Sequence, residues 1–103
     1  MNEHGRFTIP ADHPCLPGHF PGDPVVPGVV LLDHALAAIR PADSPAGLEI
    51  ARVKFRRPVR PQQAVAVEAG DPDGHGRVVF RCRVEGDTVV EGMVRSRAAA
   101  DSV

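Results

Sequence analysis

Two side chains draw attention for the chemistry their types allow. His19 sits in a turn-rich stretch, and Asp33 follows fourteen positions later inside an apolar run. A neutral imidazole accepts a proton near neutral pH, and a carboxyl group held away from water can deliver one. Each also has an ordinary explanation. Asp33 stands among Val29, Leu32, Ala35 and Leu36. An unpaired buried carboxylate is costly, so Asp33 is paired, protonated or functional, or else it lies at the surface of its helix facing water or a subunit boundary. It is too far from Gly28 to cap the helix. His34 is adjacent, but neighbouring helix residues point in different directions and do not make a pair. His19, in a Pro/Gly loop, reads equally well as an exposed histidine. His4, His13, His34 and His75 have no zinc-ligand spacing, so no metal site is expected. Cys15 and Cys82 lie far apart, belong to no CxxC pattern, and imply no disulfide framework.

The elements that must position these residues can be read along the chain. Met1 to Pro27 is rich in Pro and Gly, with a short strand-like piece, Arg6 to Ile9. Prolines 10, 14, 17, 21, 24 and 27 forbid a helix there and hold the backbone extended or turned. Gly28 to Ile39 is free of Pro, and Pro27 suits a first helical position. The apolar residues of this helix run almost all the way round it, which predicts burial on every side. Arg40-Pro41 ends the helix, and 42–47 reads as a loop. Four strands follow. Leu48 to Phe55 should set Ala51, Val53 and Phe55 on one face against Arg52 and Lys54. Gln62 to Ala69, Arg77 to Glu85 and Thr88 to Arg95 complete the set. Asp71 to Gly76 and Glu85-Gly86-Asp87 carry the turn signals, and 96–103 is expected to fray. One apolar helix and one sheet with a single apolar face predict an α+β fold in which an antiparallel sheet wraps the helix.

A chain of 103 residues is enough for one domain, 1–103, small enough that an oligomer burying more surface is expected. A net charge of −1 gives no global field to recruit nucleic acid or an anionic membrane. No apolar run is long enough for a transmembrane helix, and Met1 to Arg6 lacks the basic-then-apolar order of a secretory signal. A cytoplasmic location is the expectation.

The stretch from Gly18 to Asp33, GHFPGDPVVPGVVLLD, resembles the signature of the β-hydroxyacyl-acyl-carrier-protein dehydratases. In that family a His-Phe-x-Gly turn precedes a Pro-Gly helix start and then an acidic residue at the His19–Asp33 spacing. Val53 to Pro61 resembles the family's second recurrent segment. The resemblance runs from Pro17 to Pro61, and the strand order agrees beyond it. It implies a hot-dog fold and a homodimer, or an oligomer of dimers, whose active site takes the histidine from one subunit and the acid from the other. It implies a lyase of fatty-acid or polyketide-like biosynthesis with no cofactor. His19 would remove the α proton and Asp33 would protonate the departing hydroxyl. The Gly28 N–H would stabilise the thioester oxyanion, while Phe20, Pro21, Gly22, Pro27 and Val29 would contact the substrate. Arg56, Arg57 and Arg60, in a basic patch with Arg52 and Lys54, are candidates for docking acyl carrier protein, although a solvated strand face explains them as well. Three residues depart from the family, one of them His34, which stands where a small residue is more usual. Ala37 stands where a glutamine is usual, and the acid is Asp in place of the commoner Glu. A weakly active or non-catalytic acyl-binding accessory subunit is therefore a standing alternative, and a hot-dog thioesterase is another.

Overall fold

The computed structural model describes residues 1–12, 25–39 and 48–96. Their elements run β1 (Asn2–Thr8), α1 (Gly28–Ile39), β2 (Leu48–Phe55), β3 (Ala64–Ala69), β4 (Arg77–Val84) and β5 (Asp87–Ser96). The five strands form one antiparallel sheet in the order β1-β3-β4-β5-β2, with β1 and β2 at the edges. The helix lies on one face, chiefly against β1 and β3. This is the hot-dog arrangement of an antiparallel sheet around one helix.

Alternation produces the core. Val65, Val67 and Ala69 of β3, Phe80, Cys82 and Val84 of β4, and Val90 and Val94 of β5 are buried on the helix side with Leu31 and Ala35 of α1. Ile9 and Val59 close the end of this layer from the flanking connections. Gly92 marks a close approach: a Cβ there would strike the Arg52 carbonyl and meet the Phe80 ring at 3.0 Å. Phe80 thus fills the space that the missing side chain leaves, which lets β2 lie tight against β5.

The helix departs from the expectation of burial on all sides. Val29, Asp33 and Ala37, one turn apart, form an exposed line, with Val29 73% exposed. Sequence hydrophobicity reports only that water is disfavoured at Val29; within one chain no described element covers that line.

β2 also differs in detail. Register shifts between Ile50 and Arg52, so Ala51 is an extra residue outside the pairing. The side facing the helix becomes Leu48, Ile50, Val53 and Phe55, opposite Ser96, Val94, Gly92 and Val90, and Ala51 is not part of the alternating set. A similar shift at His4 lets β1 run over Asn2–Thr8, longer and earlier than Arg6 to Ile9. Of the added residues, Asn2, Glu3 and Gly5 are held by pairing to β3, a contribution that hydrophobic patterning does not register. β3 starts at Ala64 because Gln62 has φ 69°, a left-handed conformation incompatible with a strand. Asp87 and Ser96 belong to β5, while 97–103 lies outside the described residues.

Candidate active site

The site is best built from the start of α1. The Pro27 carbonyl accepts the N–H of Leu31 at 3.3 Å and that of Val30 at 3.0 Å. Pro27 is therefore the residue just before the helix, one position earlier than its expected place inside the first turn. Val26 anchors the approach, its N–H donating to the Val59 carbonyl at 2.7 Å. The Gly28 and Val29 N–H groups lie at a helix start where no intrahelical acceptor exists for them. No acidic residue occupies this first turn, so the positive end of the helix dipole is left for another group.

Gly28 is held against β2. A Cβ at this position would lie 2.7 Å from Cζ of Phe55 and 2.8 Å from its Cε1. The ring therefore covers the backbone of the first helical residue. A groove of about 380 Å³ opens here, lined by Val25, Val26, Gly28, Leu31, Phe55 and Arg56 among others. Phe55 is a site residue that the sequence placed on the correct strand face without linking it to Gly28. Its ring meets the helix 27 positions away in sequence, beyond the reach of any local pattern.

Asp33 lies further along α1 and faces outward, between Val29 and Ala37 on the exposed line. Its neighbour His34 turns the other way and stacks on Phe7 of β1, with ring centroids 4.7 Å apart and planes at 18°. The two adjacent side chains thus serve different surroundings, as helical geometry requires. His19, Phe20, Pro21 and Gly22 fall outside the described residues, as does Cys15. The described residues thus place Asp33, Gly28, Pro27 and Val29, and include none of 19–22. Cys82 is buried, and burial pushes its thiol up to about 11, so it stays protonated and inert at neutral pH. Among the described residues, no three His, Cys, Asp or Glu side chains gather as metal ligands, and no helix is long and apolar enough to cross a membrane.

The basic residues separate into two places. Arg56 donates to Glu91 at 2.5 Å, and this bond holds the Glu91 carboxyl below its ordinary range. Arg57 sits 3.6 Å from Asp87. The Arg60 backbone N–H donates to Gln63 Oε1 at 2.8 Å. Arg57 and Arg60 belong to the connection between β2 and β3, whereas Arg52 and Lys54 stand on the sheet face away from the helix, opposite Met93 and Glu91.

Comparison with known proteins agrees with this architecture. Residues 2–93 match the family described as ApeI-like, ApeI dehydratase. The 3-hydroxyacyl-[acyl-carrier-protein] dehydratase FabZ of Psychromonas ingrahamii is 30% identical, with 88% of this chain and 70% of the relative covered. The FabZ of Thermus thermophilus is 37% identical over 78% of this chain and 66% of the relative. The chain thus spans about two thirds of the length of these curated relatives. Among solved structures, the dehydratase heterocomplex ApeI:P from Xenorhabdus doucetiae contains a chain with a TM-score of 0.70 at 23% identity, covering 87% of this chain and 81% of that one. An uncharacterized protein from Erwinia carotovora subsp. atroseptica has a TM-score of 0.69 at 24% identity, covering 87% and 77%. These two show the fold. The fold and the matched signature define a hot-dog protein of the hydroxyacyl-dehydratase class. The chain belongs to the ApeI-like dehydratase family, a family of hydro-lyases.

Proposed function

We propose that the protein removes water from β-hydroxyacyl thioesters carried on acyl carrier protein, giving the trans-2-enoyl thioester, with His19 and Asp33 as the acid–base pair. The neutral His19 imidazole takes the proton from the α carbon. Asp33 gives a proton to the β hydroxyl, which leaves as water as the double bond forms. Charge developing on the thioester oxygen is met by the Gly28 N–H at the positive end of α1. The pair regains its starting protonation when the proton abstracted by His19 reaches Asp33, directly or by exchange of one proton to solvent and one from it. Phe20, Pro21, Gly22, Pro27 and Val29 shape the contact with substrate.

The observation that carries this reading is Asp33 on the exposed line of α1, which begins beside Gly28 and its groove. An acid there is accessible to a substrate and to a second subunit. The large apolar side chains left exposed include Val29, Ile50 and Phe55, on that line and on edge strand β2. In the proposed homodimer these side chains are covered, and Asp33 of one chain acts with His19 of the other. Docking of the acidic carrier at Arg56, Arg57 and Arg60 and a cytoplasmic location complete the proposal. The names of the FabZ relatives support the substrate class.

Ala37 favours one second reading, an acyl-binding accessory subunit with little turnover. It occupies the same exposed line as Asp33 and offers only a methyl group, with nothing to orient a neighbouring carboxyl. Incubation of the purified protein with β-hydroxyacyl carrier-protein thioesters of several chain lengths separates the readings. Enoyl product supports the dehydratase, binding without product supports the accessory subunit, and free thiol identifies a thioesterase.

A further inference from the structure

The sheet face away from the helix carries a second groove, of about 640 Å³, within the size range of about 300–1,000 Å³ common for small-molecule sites. Arg52, Lys54, Arg56 and Arg81 line it, with Glu91 among them and Val79 in its floor. Strand register explains the clustering. Lys54 of β2 and Arg81 of β4 both pair with Glu91 of β5, so three charged residues form one row across the sheet. The next row places Val79 and Arg52 on either side of Met93. Each row is mixed: Glu91 lies between two cations, and Arg52 stands in line with two apolar side chains.

The cations are unequally engaged. Arg56 is bound to Glu91, and Arg81 donates to Glu68 at 2.6 Å. Arg52 and Lys54 have no ion pair among the described residues. Both still act at a distance on Glu91, helping Arg56 keep it ionised. Two cations on an edge strand thus stand beyond what the local carboxylates neutralise. Arg56 has a further property: it lines this groove and also the groove over Gly28. It stands where the outer face of β2 meets the start of α1.

We propose that this outer groove binds a phosphate ester on the arm that carries the thioester, held by Arg52 and Lys54, and so directs the arm past Arg56 toward Gly28. Lysine and arginine together suit a phosphate, one as a point charge and one as a planar fork. The apolar side chains of Val79 and Met1, which line the groove, accommodate the uncharged part of the arm. The inference rests on the dehydratase reading above.

The test compares three short β-hydroxyacyl thioesters, on holo carrier protein, on coenzyme A and on phosphate-free N-acetylcysteamine. The variant carries Arg52→Ser with Lys54→Ser, both at exposed positions. Its preference for phosphorylated over phosphate-free thioester, read as the kcat/KM ratio, should fall by at least about tenfold, through KM. Arg77→Ser, on the same sheet face but paired with Asp73, should leave the ratio as it is. A fall for both the carrier and coenzyme thioesters assigns the phosphate to the pantetheine arm, and a fall for coenzyme A alone assigns it to the nucleotide end. An unchanged ratio with active enzyme overturns the inference and leaves the dehydratase standing. If the wild type turns over none of the three, the dehydratase reading fails. The groove is then judged by calorimetry with 4′-phosphopantetheine against pantetheine. A preference for the phosphorylated compound that the variant loses supports the groove, and equal binding overturns it.

Discussion

The Phe55 ring lies where a side chain on Gly28 would have to be, with Cζ 2.7 Å from that position. Glycine at the first residue of α1 lets edge strand β2 come up against the helix start, and the groove beside it depends on the contact. Gly28→Ala must push the ring aside. Because the ring is half exposed, the push is modest: the variant should be about 1 kcal/mol less stable by denaturant unfolding. Phe55→Leu in the same chain should recover most of the loss. A Gly28→Ala protein as stable as the parent, with no coupling to Phe55, contradicts the contact.

A site shared between subunits makes a second prediction. His19→Ala and Asp33→Asn chains should each be inactive alone. Unfolding and refolding an equal mixture should restore about a quarter of the parental activity, because half the dimers are mixed and each mixed dimer has one intact site. Sites built within one chain give no recovery at all.

The β3–β4 connection supplies a pH prediction. Asp73 accepts the Arg77 backbone N–H at 2.9 Å, the His75 backbone N–H at 2.8 Å and the Arg77 side chain at 2.8 Å. These bonds, with the Arg77 backbone N–H first, lower its carboxyl from 3.8 to about 2. A depressed folded pKa means that the stabilisation is present above the unfolded value and lost as pH falls through the folded one. Amide exchange in the 73–77 turn should therefore be protected at pH 5 and lose protection between about pH 4 and 2, the interval set by those two values. Asp73→Asn should flatten that response.

The β4–β5 hairpin offers a stabilising change. Glu85 and Gly86 have φ of 52° and 86° between the paired residues Val84 and Asp87, the geometry of a two-residue turn with both central residues left-handed. Asn tolerates this conformation far better than Glu. Glu85→Asn should raise stability by about 0.5–1 kcal/mol, measured by the shift of the urea midpoint. A lower midpoint contradicts the turn assignment.

The parts that were legible in the sequence are those encoded by local periodicity. The limits of α1, the strand runs of β2 and β4, and the inward faces of Val65, Val67, Phe80 and Cys82 all follow from alternation or from breakers. The bulge at Ala51 was not legible, because an extra residue leaves composition and alternation looking sound on each side of it. Nor was the exposed line of α1: Val29 and Ala37 are as apolar as core residues, and only the tertiary arrangement shows that nothing in the chain covers them. At the candidate site, Asp33 stood out as a carboxyl inside an apolar helix, while its link to His19 and the role of Gly28 came from the family resemblance. The relations of Gly28 to Phe55 and of Asp33 to the outward line came from contacts distant in sequence. The pairing of His34 with Phe7 belongs to the same category.

The central claim is that Asp33 acts chemically together with His19, and turnover by folded variants tests it most directly. Asp33 is exposed in the chain, so Asp33→Asn should fold, with a thermal midpoint close to that of the parent. The rate of enoyl formation from a β-hydroxyacyl carrier-protein thioester should fall by about 10²–10⁴ in Asp33→Asn and in His19→Ala, the range expected for loss of a positioned acid or base. Turnover by either folded variant within a few-fold of the parent would contradict the account.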